Sequence, residues 1–169
     1  MRTTLEATRM WTTTDSPVGE LRIVADHDAI VAIEFTPFRG LAEGRPIGER
    51  DDDHPLLREA VAQLAAYFAR ERRDFELPLA PRGSQFQQQV WAQLRMIGYG
   101  QTASYGEIAR RMGRTNAASR AVGLANGSNP IPIVIPCHRV IGADGSLTGY
   151  AGGVHRKQTL LELEQDALF

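Results

Sequence analysis

Three short segments near the start of the chain concentrate apolar and β-branched residues in strand-length runs: 9–14 (RMWTTT), 21–26 (LRIVAD) and 30–35 (IVAIEF). Turn formers at Ser16-Pro17-Val18-Gly19 and Asp26-His27-Asp28 separate them, so the pattern predicts a β-meander. A polar stretch rich in Gly, Pro and Arg fills 36–50, after which Asp51 to Asp53 and Pro55 supply the anionic start of a helix. Along that helix Leu57, Val61, Leu64, Ala65 and Phe68 recur on one face, the face expected to be buried.

The segment LPLAPRG, with prolines at 78 and 81 and Gly83, reads as a link between two units, 1–80 and 81–169. Beyond it, Ser84 and Gln87 form a capping box ahead of a helix carrying Phe86, Val90, Leu94 and Ile97 at helical spacing. Ser104 and Glu107 form a second box opening SYGEIARRM, which ends at Gly113. Thr115 is expected to cap TNAASRAVGLAN, which runs into the turn Gly127-Ser128-Asn129-Pro130. Two short helices joined across a glycine predict a helix-turn-helix. A helix that reads base edges carries long polar side chains near its N-terminus, but Ala117, Ala118, Ser119, Ala121 and Gly123 are small and only Arg120 is long. Such a helix suits close approach to DNA without reading a long sequence.

Composition sharpens this picture. A hydrophobic fraction of 43% with 23% charged residues over 169 positions is that of a globular protein and excludes disordered and collagen-like classes. No apolar run approaches the ~20 residues of a membrane span, and MRTTLEATRMW lacks the apolar core of a secretory signal, so a cytoplasmic protein without membrane contact is expected. The histidines at 27, 54, 138 and 155 are scattered and there is one cysteine, so neither a metal nor a cofactor is expected. Nothing offers a dimer seam, and a monomer is the expectation. The net charge of −1 conceals an asymmetry: residues 1–80 hold 10 Arg against 15 acids, whereas 81–161 hold 9 Arg and Lys against 2 acids. A basic second half points to a polyanion partner, because Arg and Lys at phosphates supply most sequence-independent affinity for nucleic acid.

The candidate chemistry lies in NPIPIVIPCHRV, residues 129–140, where the lone Cys137 stands between Pro136 and His138. A free cysteine is usually an inert small hydrophobe. Here His138 offers a proton acceptor and Arg139 a charge that favours thiolate, so Cys137 is read as a nucleophile.

From residue 84 to 164 the chain resembles the O6-alkylguanine-DNA alkyltransferases, a family of direct-reversal DNA repair proteins. The resemblance rests on SYGEIA, RAVGLAN, NPIPIVIPCHRV, the following GYAGG and the terminal LLELE, in order and at similar spacing. It implies an α/β protein with a small ribonuclease-H-like sheet-and-helix domain followed by a mostly helical, winged-helix-like domain with a helix-turn-helix. It also implies that Cys137 accepts the alkyl group of O6-alkylguanine in double-stranded DNA irreversibly, each molecule acting once. By the same resemblance His138 takes the thiol proton through a water, Glu164 orients the imidazole, Asn129 fixes the turn beside the cysteine, and Tyr105 protonates the leaving guanine. Arg120 fills the space of the flipped base on a helix seated in the minor groove, with Ser119, Ala121 and Gly123 beside it. Tyr150, Ala151 and Val140 line the base pocket. Many animal members have serine at the position of Ala151, and the zinc-binding cysteines of some members are missing here.

A non-catalytic module that recognises alkylated DNA is the alternative, but its relatives carry tryptophan in place of the cysteine. A helix-turn-helix transcription factor and a cysteine hydrolase fit fewer of these residues.

Overall fold

The computed structural model describes residues 8–40, 47–147, 150 and 152–166, which form two compact units, Met1–Pro81 and Arg82–Phe169. In the first, β1 (Met10–Thr14), β2 (Leu21–Ala25) and β3 (Ile30–Phe35) follow the meander, and β4 (Glu49–Arg50) completes a sheet of order β3-β2-β1-β4. Gly19 closes the first turn at a positive φ of 97°, donating its amide to Ser16 O. The Asp26 carboxylate accepts from the amides of Asp28 and Ala29 and closes the second. Strand β4 pairs parallel with β1 and falls at the end of the polar stretch rich in Gly, Pro and Arg. Two residues are too few to generate a periodic signal.

Strand β2 is buried along most of its length, β1 alternates buried and half-buried positions, and a row formed by Trp11, Val24 and Ala32 lies in register across the three strands. Helix α1 (Pro55–Phe68) packs on β1 and β2. Its N-cap is His54, whose Nδ1 accepts from the Leu56 amide, so an imidazole holds the end that the aspartates precede. The buried stripe is Leu57, Ala60, Gln63, Leu64 and Tyr67, and Ala65 is exposed, which rotates the inward face from the one the apolar count selects. Gln63 is drawn in because its amide satisfies both the N–H and C=O of Glu76. The start of the linker lies along β3: Pro78 O accepts from Ile30 N, and Ala80 N donates to Ile30 O.

In the second unit both capping boxes form. Ser84 begins α2 (Gln85–Leu94) and Ser104 begins α3 (Tyr105–Arg111). At the end of α3, Arg114 N donates to Ala109 O and Gly113 N to Arg110 O, a Schellman closure with Gly113 at φ 76°. Thr115 makes no side-chain cap. A 3-10 turn, Asn116–Ala118, comes first, and α4 (Ser119–Gly127) begins three residues later than the sequence pattern suggests. Ile97 is buried just beyond α2 rather than on it. Strands β5 (Ala103–Ser104) and β6 (Val140–Ile141) pair parallel and hold the segment after Cys137 beside the start of α3. The chain then reaches α5 (Val154–Asp166), whose inward positions are Lys157, Leu160 and Glu164.

Among the described residues no helix is long and apolar enough to cross a membrane.

Candidate active site

The segment from Asn129 to Pro136 is a tightly folded apolar lead-in to the cysteine. Ile131, Ile133 and Ile135 are each no more than 1% exposed. Ile133 has φ 73°, a conformation a β-branched residue adopts only under constraint. Two short backbone bonds, Val134 N to Pro132 O and Cys137 N to Ile135 O, tighten the path. Asn129 bridges it, donating Nδ2 to Ile135 O at 2.8 Å and accepting from Ile131 N at 3.0 Å. The strain at Ile133 is therefore held by three buried isoleucines and a buried amide, and its consequence is a fixed position for residue 137.

Cys137, His138 and Arg139 form one 3-10 turn, and all three are buried. Consecutive residues on so tight a turn point in different directions, which separates the thiol from the two basic groups that follow. His138 Nε2 donates to Glu164 Oε2 at 2.7 Å. Arg139 grips the same carboxylate in a fork, Nε to Oε1 and Nη2 to Oε2 both at 2.9 Å, and its Nη1 donates to Ile97 O at 2.7 Å. A carboxylate 1% exposed is thus met by three side-chain N–H donors, and the Gly100 amide adds a longer bond to Oε1 at 3.4 Å. Burial alone would raise the Glu164 pKa, but the bonds from His138 and Arg139 overturn that and bring it to about 2. Glu164 is ionised at neutral pH.

His138 is held below its ordinary value by complete burial, which outweighs the stabilising carboxylate. It is a neutral imidazole whose Nε2 carries the proton given to Glu164. Its Nδ1 is therefore the basic nitrogen, and that atom has no hydrogen-bond partner among the described residues.

Burial pushes the Cys137 thiol up to about 11, opposed by a hydrogen bond with the Asn129 side chain and by the charge of Lys157. The sequence reading gave the charge role to Arg139. The structure corrects this: the Arg139 guanidinium is consumed by Glu164 and Ile97 O, and the cation acting on the thiol is Lys157. This is the only lysine of the chain, and its side chain is wholly buried on α5 with Nζ donating to Val140 O. Burial lowers its own pKa and the thiolate charge of Cys137 raises it. The sequence carried one available signal, a solitary lysine three residues before Leu160 and seven before Glu164 on the same helical face. Asn126 was also missed. It is 1% exposed and donates Nδ2 to Cys137 O at 3.3 Å, tying α4 to the cysteine turn.

Tyr105 is half-buried at the first position of α3. Gly123 lies against its ring, since a Cβ built on Gly123 would stand 3.6 Å from Tyr105 Cδ1 and 3.7 Å from Cε1. This glycine, assigned by resemblance to the DNA face, borders the phenol. Arg120 and Ala121 are exposed on α4, and Ser119 is half-buried. Val140 is buried in β6 and Tyr150 is 8% exposed. Ala151 lies outside the described residues.

A helix-turn-helix unit that encloses a lone thiol, a carboxylate-oriented imidazole and a buried ammonium defines a cysteine group-acceptor built on a DNA-binding scaffold. Residues 85–166 match the DNA binding domain of 6-O-methylguanine DNA methyltransferase, and residues 10–81 match the ribonuclease-like domain of the same proteins. The chain belongs to the 6-O-methylguanine DNA methyltransferase family. It is 64% identical over 153 residues to a methylated-DNA–protein-cysteine methyltransferase of Mycolicibacterium paratuberculosis, covering 90% of each chain. A namesake from Methanosarcina acetivorans is 46% identical, over 89% of this chain and 94% of its own. The fold superposes on the crystal structure of Mycobacterium tuberculosis OGT in complex with DNA with a TM-score of 0.85 and 46% identity, over 94% of each chain.

Proposed function

We propose that the protein removes alkyl groups from the O6 position of guanine in double-stranded DNA by transferring them to its own Cys137. The observation that carries this reading is the Cys137 turn itself, where a buried thiol is followed by an imidazole whose tautomer is set by Glu164 at 2.7 Å. The relatives named methylated-DNA–protein-cysteine methyltransferases support it, as does the DNA complex of the Mycobacterium tuberculosis protein.

The thiol proton passes through a bridging water to His138 Nδ1, the one basic nitrogen left by the bond to Glu164. Lys157 stabilises the resulting thiolate, and Asn129 holds it in place. The sulfur attacks the alkyl carbon in line; the S–C bond forms as the C–O6 bond breaks, and its electron pair leaves on guanine. Tyr105 gives that guanine a proton through its phenol, held against Gly123. Val140 and Tyr150 line the pocket for the base, which must leave the stack for its O6 substituent to be reached. Arg120 takes the vacated place from a helix seated in the minor groove, with Ser119 and Ala121 beside it.

Donor and acceptor are both present in the complex, so no cofactor enters. The product is a thioether and the chain has no second cysteine to resolve it, so each molecule acts once. The division of labour follows the units: 1–80 is a ribonuclease-H-like domain, and 81–169 binds DNA and accepts the alkyl group. The protein works as a cytoplasmic monomer.

Titrating a duplex that holds one O6-methylguanine with increasing protein tests this. Repair should stop at one lesion per protein molecule. Continued repair beyond equivalence would overturn the single use, and tight binding without repair would indicate the recognition module.

A further inference from the structure

The corner between α3 and α4 carries arginines whose setting differs from that of the other paired arginines. Arg22, Arg50, Arg72 and Arg139 each meet a carboxylate. Arg110 and Arg114, on either side of Gly113, meet none among the described residues and are exposed, yet both are held. Arg110 donates Nη1 to Asn116 Oδ1 across the turn. Arg114 lies over the ring of Phe86 on α2, its guanidinium carbon 4.9 Å from the ring centroid. Glu107, the acid on α3, feels the charges of Arg110 and Arg111 without bonding them, because its carboxylate accepts from the Ser104 amide.

A second feature stands beside the first pair. A Cβ on Gly106 would come within 3.1 Å of Asn116 Oδ1, 3.3 Å of Arg110 Nη1 and 3.5 Å of Ser119 Oγ. Glycine at 106 thus lets a guanidinium and a hydroxyl converge over the first turn of α3, next to Tyr105. Ser119 is half-buried and its hydroxyl bonds no described residue. A long flexible arginine normally sacrifices rotamer freedom when it binds; here uncharged partners have already fixed both guanidinium groups while leaving their charge unneutralised.

We propose that this corner is a preformed clamp for the phosphate backbone of the DNA duplex, Arg110 with Ser119 receiving one phosphate and Arg114 a neighbouring one. Asn116 and Phe86 are positioning residues. The clamp rests on the proposed DNA-repair reading and adds to it what sets the register: phosphate contacts fix where α4 lies along the duplex, and so place Tyr105 and Arg120 relative to the lesion, without reading sequence.

The test is the salt dependence of binding to a short fluorescein-labelled undamaged duplex. Each phosphate contact contributes about −0.9 to the slope of log affinity against log salt. Arg110→Gln and Arg114→Gln should each flatten the slope by about that amount and weaken binding about 5- to 10-fold near 100 mM salt. Phe86→Leu should weaken binding while keeping the slope, since the charge remains but is no longer held, and Phe86→Tyr should restore it. Unchanged slopes in both arginine variants would overturn the clamp; equal binding by the Leu and Tyr variants would overturn the role of the stacked ring. The repair reading fails separately, if wild-type protein that binds the duplex takes up no alkyl group.

Discussion

Replacing Glu164 by Gln is the change that reaches furthest into the site. The carboxylate accepts from His138 at 2.7 Å and twice from Arg139 at 2.9 Å while 1% exposed. The amide keeps one acceptor oxygen, so part of the Arg139 fork survives, but the guanidinium is left charged and buried without its counter-ion. Breaking a buried pair from one side costs about 3–5 kcal/mol, and the retained acceptor favours the lower end. For a unit of about 90 residues that lowers the thermal midpoint by roughly 12–24 °C. The chemical consequence is distinct. An amide NH2 facing His138 Nε2 favours the tautomer with its proton on Nδ1, which removes the base that receives the thiol proton. Loss of general base catalysis slows transfer by about 10²–10⁴-fold. Single-turnover transfer from a methylated duplex, run below the midpoint of the variant, measures this. A cycle with His138→Gln supplies the control: if Glu164 acts through His138, the double variant should be no slower than His138→Gln alone. Wild-type transfer by folded Glu164→Gln protein, or fully multiplicative losses in the cycle, would refute the tautomer argument.

Cys137→Ser should abolish transfer and leave duplex affinity within about threefold, because the residue is buried away from the exposed face of α4; binding and transfer assays on one preparation check both. Lys157→Met removes the cation that opposes the rise of the thiol to about 11, so transfer should slow and its pH profile move to higher pH; an unmoved profile would deny Lys157 that role. Acid should destabilise the C-terminal unit in two windows. His138, depressed below 6.5, stays neutral when folded while the unfolded chain takes up a proton, so stability falls as pH drops below 6.5. Glu164 contributes stability above 4.5 that is lost as pH falls toward its folded value of about 2; calorimetric midpoints from pH 7 to 3 follow both. Gly123→Ala should stabilise α4 by about 1 kcal/mol, its methyl meeting the Tyr105 ring at ordinary contact distance, whereas Gly123→Val should displace the ring and slow transfer about tenfold or more.

Much of the fold is written locally. Strands β1 to β3 are bounded by side chains that close their own turns, and α2 and α3 by capping boxes whose partners are three residues apart. What escaped depends on distant partners. Strand β4 exists because β1 offers an edge, and the inward face of α1 turns because Gln63 finds the backbone of Glu76. Cys137 and His138 announce themselves by adjacency, and resemblance pointed to Glu164. The destination of Arg139 could not be read, because whether it serves the thiol or the carboxylate depends on how α5 crosses the cysteine turn. The same crossing brings Lys157 to Val140 O and its charge to the thiol.

The central claim is that Cys137 receives the alkyl group. Its most direct test is the intact mass of the protein after incubation with a duplex containing one O6-methylguanine, followed by peptide mapping. The account predicts the mass increase of one methylene, confined to the peptide that holds Cys137. An unchanged mass on protein that binds the duplex, or a methyl group on another residue, would contradict it.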